Sequence, residues 1–127
     1  MLQIQKTIKL YLKEREWDKL SPVDLAKSIM IEGAELLELF QWKNYTVEEI
    51  NNDPELKLRI QKEMADVMIY CTDLAIRLNI DVETAMQDKL SYSAKKYPAA
   101  KILHDNGESS KNTFYMKQKM AYRKAKE

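Results

Sequence analysis

Five carboxylates define the chemistry open to this chain. Glu32, Glu35 and Glu38 recur every third residue through IEGAELLELFQW, and Glu63 and Asp66 repeat the spacing in EMADVMIYC. Residues three apart on a helix are neighbours one turn along, and like charges at that spacing repel by about 0.2–0.5 kcal/mol per pair when exposed. The penalty grows as the site dries. Counting Asp73, six acids fall between residues 28 and 42 and between 63 and 76, with no Lys or Arg among them. A hard divalent cation takes carboxylate oxygens by preference, so two helices turning ExxE and ExxD toward each other would hold Mg²⁺, or Mn²⁺ in its place. Acids at this spacing also decorate ordinary solvated helix faces, usually with Lys or Arg four residues on. Here the intervening residues are mostly Ile, Met, Leu, Phe, Val and Ala, the pattern of a polar inner strip in a helical bundle.

The elements that must carry these residues are helical. Only two Gly and three Pro occur in 127 residues, Leu, Lys, Glu, Ala and Met are abundant, and strand signals are absent. The fold class expected is all-α, a bundle of about four core helices with an extra C-terminal helix. Ile4, Ile8, Tyr11 and Leu12 share one face of a first helix over residues 2–16. Ser21 and Pro22 make an N-cap and first turn, with Asp24 favoured by the helix dipole, and this second helix should run to about Lys43. Thr46 and Glu49 form a capping box for a short helix. Asp53-Pro54 opens a long helix to about Leu78. Asp81 caps a further one, which must stop before Pro98. HDNGESSKNT, from His104, has the composition of a linker, and FYMKQKMAYRKAKE closes the chain as a basic amphipathic piece. The domain expectation is therefore a core over residues 1–103 and a linker with tail over 104–127.

Composition and missing residues narrow the function. The net charge of +1 gives no overall bias toward nucleic acid or membrane. Charges throughout MLQIQKTIKLYLKERE argue against a signal peptide, no run reaches the ~20 apolar residues of a membrane span, and a cytoplasmic location is expected. Cys71, the single cysteine, lies in an apolar run and reads as a buried, inert thiol. A di-iron carboxylate bundle would need ExxH on two helices, but the one histidine, His104, lies in the linker segment. The same shortage removes Cys and Ser triads, and with Gly33 and Gly107 as the only glycines there is no phosphate-binding glycine loop. An all-oxygen site for a hard metal remains, which suits metal-assisted attack on a phosphoryl group.

EREW at 14–17, Pro22, EGAELLELFQWK at 32–43, EMADVMIY at 63–70 and KxxxxxxKYP at 89–98 stand in an order and spacing that resemble one known group. The chain is similar, from about Leu12 to Pro98, to the all-α nucleoside triphosphate pyrophosphohydrolases of the MazG-like superfamily, and within it to the dCTP pyrophosphatase branch. The resemblance implies a homodimer or homotetramer with shared active sites. It implies hydrolysis of a nucleoside triphosphate between the α and β phosphates, with Glu32, Glu35, Glu63 and Asp66 as metal ligands. Glu35 and Glu38 are the implied catalytic acids, Glu38 holding a further ion or orienting water. Trp17, Trp42 and Tyr70 match nucleoside-contacting positions, although aromatics on apolar helices are more often core residues. Lys89, Ser93, Lys96 and Tyr97 match the region that reaches the substrate, and Lys95 reads equally as a solvated lysine.

Departures from the branch bear on selectivity. The branch has a histidine before the proline, where the shorter WDKLSP offers Ser21. It also carries Asn where Ser93 stands and Arg where Lys96 stands. These changes remove directional hydrogen bonds and bidentate phosphate geometry, which favours a broad deoxynucleotide range and a house-cleaning role over strict dCTP selection. The tail lies outside the resemblance. Residues 111–127 hold six basic residues and one acid, and the expectation is a helix packing its Met and Tyr side chains on a neighbouring subunit rather than nucleic-acid contact. The alternative to the enzyme is a non-catalytic helical module with a structural ion and a tail that binds nucleic acid or protein.

Overall fold

The computed structural model describes residues 2–104 and 113–126. Among these the chain is all-α, in the order α1 (Gln3–Glu14), α2 (Pro22–Glu38), α3 (Val47–Asn51), α4 (Pro54–Arg77), α5 (Val82–Lys96), α6 (Ala99–His104) and α7 (Phe114–Lys124). No helix among the described residues is long and apolar enough to cross a membrane. The contacts divide the chain into two compact units, Met1–Glu83 and Thr84–Glu127.

The first unit is organised by α2 packed along α4, with α1 and α3 also against α4. Each helix starts where its capping residues dictate. The Ser21 hydroxyl accepts from the Asp24 backbone N–H at 3.1 Å and donates to the Asp24 carboxylate at 2.7 Å, and Pro22 supplies a first residue whose missing N–H needs no partner. Ser21→Ala is expected to cost about 1 kcal/mol, read as a fall in the urea midpoint at fixed protein concentration. The expected capping box is present: Thr46 Oγ1 accepts from the Glu49 N–H and the Glu49 carboxylate from the Thr46 N–H, at 3.2 and 2.8 Å. That second bond holds the Glu49 carboxyl below its ordinary range, with Lys43 assisting. Asp53 caps α4 through the Leu56 N–H at 2.9 Å.

Two helices end in the same way. After α1, the Glu16 N–H donates to the Lys13 carbonyl and the Trp17 N–H to the Leu12 carbonyl, with Glu16 left-handed at φ 53°. After α4, Asn79 at φ 54° donates to Ile76 and Ile80 to Ala75. These are paired Schellman closures. Asn tolerates the left-handed region, whereas Glu holds it at a cost of about 1–2 kcal/mol. Gln5, only 1% exposed, stitches the two ends of the unit together: its Nε2 donates to the Ile80 carbonyl at 2.8 Å and its Oε1 accepts from the Val82 N–H at 3.3 Å.

Two expectations are corrected here. The second helix stops at Glu38 rather than near Lys43 because its last turn tightens, with Leu39 and Phe40 bonding three residues back to Leu36 and Leu37. Lys43 is instead drawn to Glu49, at 3.0 Å, and Phe40 packs edge-on to Tyr45. Cys71 is exposed rather than buried. Its neighbours Met68 and Ile69 are exposed as well, so an apolar run on α4 does not mark a covered face within this chain.

The second unit is held by aromatic contacts. Tyr97 stacks on Tyr115 at 4.9 Å and Tyr92 meets Tyr122 edge-on at 5.8 Å, which docks α7 on residues of its own chain. Lys96 Nζ lies 5.0 and 4.6 Å from the Tyr97 and Tyr122 rings, and Gln118 donates to the Lys96 carbonyl at 3.2 Å. α6 follows Pro98, where no helix is expected from sequence, and the rest of the expected linker, residues 105–112, lies outside the described residues.

Candidate active site

Glu63, Asp66, Tyr70, Asp73 and Arg77 follow one another on α4 at steps of three, four, three and four residues, so they line one face of the helix. Across from the upper part of this face α2 contributes Glu32. Carboxylate oxygens of Glu32, Glu63 and Asp66 lie within 4.8 Å of one another. Glu32 and Glu63 are half-buried and Asp66 is exposed. The Glu32 carboxyl is raised above its ordinary range, first by burial and then by the charges of Glu35, Asp66 and Glu63. A convergent all-oxygen donor set in which Glu32 resists ionisation fits a hard divalent cation, because the cation supplies the charge that the cluster lacks.

Glu35 sits one turn along α2 and is exposed; its charge reaches Glu32, but its oxygens are not among those that converge. Glu38, a further turn on, is exposed at the end of α2. The structure thus brings together three of the four expected ligands and leaves Glu35 beside them.

Below the carboxylates, a cavity of about 770 Å³ opens between α1, residues 16–20 and α4. Its volume is that of a site for a nucleotide-sized ligand. Asp66 belongs both to the carboxylate cluster and to the cavity wall. Tyr70 lines the cavity from α4 and Trp17 from the segment after α1, with Tyr11 edge-on to Trp17 at 5.9 Å. Trp17 is 57% exposed, leaving ring surface free to stack. Trp42 does not line it: lying beyond the end of α2, it is 89% exposed. The expected base-contacting trio therefore reduces, around this cavity, to Trp17 and Tyr70.

Asp73 departs from its expected role as an unneutralised member of the acidic stripe. It is 2% exposed and receives Arg77 Nε at 3.1 Å. The same guanidinium donates through Nη2 to the Trp17 carbonyl at 3.1 Å and through Nη1 to the Asp18 carbonyl. Sequence reading missed this link and the cavity residues Glu16 and Lys19; the i, i+4 spacing of Asp73 and Arg77, continuing the Asp66–Tyr70 face, was the available signal. Lys89, Ser93, Lys96 and Tyr97 belong to the second unit. There Lys89 Nζ lies 5.2 Å from the Tyr92 ring and the Ser93 carbonyl accepts from the Tyr97 N–H at 2.8 Å.

Residues 27–111 match the MazG-like family. A dCTP pyrophosphatase 1 from Homo sapiens is 33% identical over 91 residues, which make up 70% of this chain and 54% of that protein. Its counterpart from Mus musculus is 33% identical over 90 residues, 69% of this chain and 53% of that one. The chain thus spans about half the length of the curated relatives it matches. Among solved structures, a pyrophosphatase from Archaeoglobus fulgidus DSM 4304 superposes with a TM-score of 0.66 at 35% identity, covering 76% of this chain and 90% of that one.

Proposed function

The chain belongs to the MazG-like family, and on that premise we propose that it is a cytoplasmic, metal-dependent nucleoside triphosphate pyrophosphohydrolase, releasing pyrophosphate and the monophosphate. The observation that carries this reading is Asp66, shared between the carboxylate cluster and the wall of a nucleotide-sized cavity. Glu32, Glu63 and Asp66 would hold Mg²⁺, or Mn²⁺ in its place, and Glu35 offers a fourth carboxylate one turn away. A bound divalent ion would supply the positive charge that triphosphate oxygens require and would acidify the attacking water. The chain's own contribution is placement. Trp17 and Tyr70 flank the nucleoside half of the substrate, and Asp66 sets the distance from that half to the phosphates. Glu35 and Glu38, exposed on α2 and free of lysine partners within it, are the candidates for orienting water.

The cavity wall supports a broad base range. Its aromatic residues, Tyr11, Trp17 and Tyr70, offer stacking surface, which every base can use. The names of the relatives favour dCTP among the candidates. Assembly as a homo-oligomer is supported by the thin core: Ile8, Leu12, Leu25, Leu56 and Ala75 are the buried apolar residues among those described, while Met30, Ile31 and Leu37 on α2 and Met64 and Met68 on α4 are exposed. Such apolar faces mark interaction surfaces, and a second copy of the chain offers the same faces in return.

The test is pyrophosphate release from a panel of canonical and modified dNTPs, with Mg²⁺ and with EDTA, for wild type and Glu35→Gln. Release that needs the metal and vanishes in the variant supports the reading; no release from any triphosphate by folded protein overturns it in favour of a non-catalytic module. In the same assay Trp17→Ala is expected to raise KM by about 5- to 150-fold, the loss of one stacked base worth about 1–3 kcal/mol, with kcat little changed.

A further inference from the structure

Arg77 makes a contact that the proposed chemistry does not require. Its guanidinium is held at one edge by the buried Asp73 carboxylate and spends its other nitrogens on two successive main-chain carbonyls, those of Trp17 and Asp18. The segment that it grips is the irregular stretch between α1 and α2, which contributes Glu16, Trp17, Lys19 and Leu20 to the cavity. That stretch is bounded by the Schellman closure that ends at Trp17 and by the Ser21 cap, with Tyr11 edge-on to the Trp17 ring and Lys19 paired with Glu16 at 3.3 Å, but Arg77 is the group that holds its main chain from α4. Asp73 itself lines the cavity, and the charged group paired with it is Arg77.

We propose that the Asp73–Arg77 pair is a positioning device for substrate recognition: it fixes the main chain at residues 17–18 and thereby sets the Trp17 ring against Tyr70 across the cavity. The inference rests on the pyrophosphohydrolase reading and adds to it residues that touch neither metal nor phosphate. The chemistry explains why arginine is used. One planar fork can satisfy a carboxylate and two adjacent carbonyls together, whereas a lysine ammonium keeps the charge and loses that geometry. The buried carboxylate orients the fork, and the fork in turn compensates the cost of burying it.

Arg77→Lys is the discriminating variant because it retains the ion pair with Asp73 and removes the two-carbonyl grip. With dCTP and Mg²⁺, KM is expected to rise by about tenfold with kcat within about twofold, the signature of a misplaced binding surface. Mn²⁺ affinity should match that of wild type. Hydrogen exchange should accelerate over residues 15–20 and stay unchanged over α2 and α4. Asp73→Asn, which keeps an acceptor for Arg77 Nε, provides a second variant and is expected to loosen the same segment to a smaller degree. Wild-type KM and wild-type exchange in Arg77→Lys would overturn the proposal, since the ion pair alone would then suffice. Faster exchange throughout α2 and α4 in both variants, with kcat and KM lost together, would also overturn it and leave a purely structural pair. If wild type hydrolyses no triphosphate, the pyrophosphohydrolase reading falls by itself, and exchange over residues 15–20 decides whether the strut exists.

Discussion

Asp66→Asn is expected to lower triphosphate hydrolysis by roughly 10²–10³-fold, since it removes one carboxylate from the proposed three-acid cation site and one group from the cavity wall. The same change should leave the metal-free protein at least as stable as wild type. Glu32 is raised by burial first and by its acidic neighbours next, Asp66 among them, so ionised Glu32 opposes folding. The sign follows: a carboxyl raised in the folded state contributes stability that is present below its unfolded pKa and lost as pH rises through the folded value. Metal-free wild type should therefore lose stability as pH rises out of the ordinary carboxylate range, and Asp66→Asn should lose less. Thermal melts in EDTA across that range, beside Mn²⁺ titrations of both proteins, check both halves. A variant that binds Mn²⁺ as tightly as wild type and hydrolyses as fast would remove Asp66 from the site.

Leu25→Ala should be the most damaging single truncation of the core, at about 3–5 kcal/mol. Leu25 is fully buried, at 0% exposure, whereas the other buried apolar side chains retain some accessible surface. It lies in the first turns of α2, the helix that packs most extensively on α4 and that places Glu32 opposite Glu63 and Asp66. A cavity there has few neighbours able to collapse into it, because the buried apolar set is so small. Urea unfolding followed by far-UV circular dichroism at fixed protein concentration gives the value. A loss below about 1 kcal/mol would mean that the core in solution is completed by another surface.

The carboxylate cluster was legible because side-chain type and a three-residue spacing fix both the chemistry and the face, and because Ser21, Thr46 and Asp53 announce where the supporting helices start. The cavity was legible only in part. Tyr70 follows from the periodicity of α4, but Trp17 lies outside any helix, and its place depends on main-chain carbonyls gripped from sixty residues away. Backbone acceptors leave no mark on residue types. The end of α2 was misread because IEGAELLELFQW looks helical throughout, whereas the i to i+3 tightening at Leu39 and Phe40 ends the helix early and leaves the Trp42 ring in solvent. Cys71 was misread for a different reason: apolar periodicity states which face prefers cover, and among the described residues Cys71, Met68 and Ile69 on α4 are exposed.

The Gln5 stitch has a consequence for how the protein is made. Its two amide partners, at Ile80 and Val82, stand 75 and 77 residues downstream. At synthesis rates of about 5–20 residues per second, Gln5 leaves the ribosome roughly 4–15 s before those partners do. α4 itself ends at Arg77, three residues before Ile80, so α1 stays unanchored at Gln5 until the helix that pairs with α2 is complete. Nascent chains stalled with residues 1–79 clear of the ribosome should accordingly carry α2 and α4 with α1 still open to chaperones and proteases.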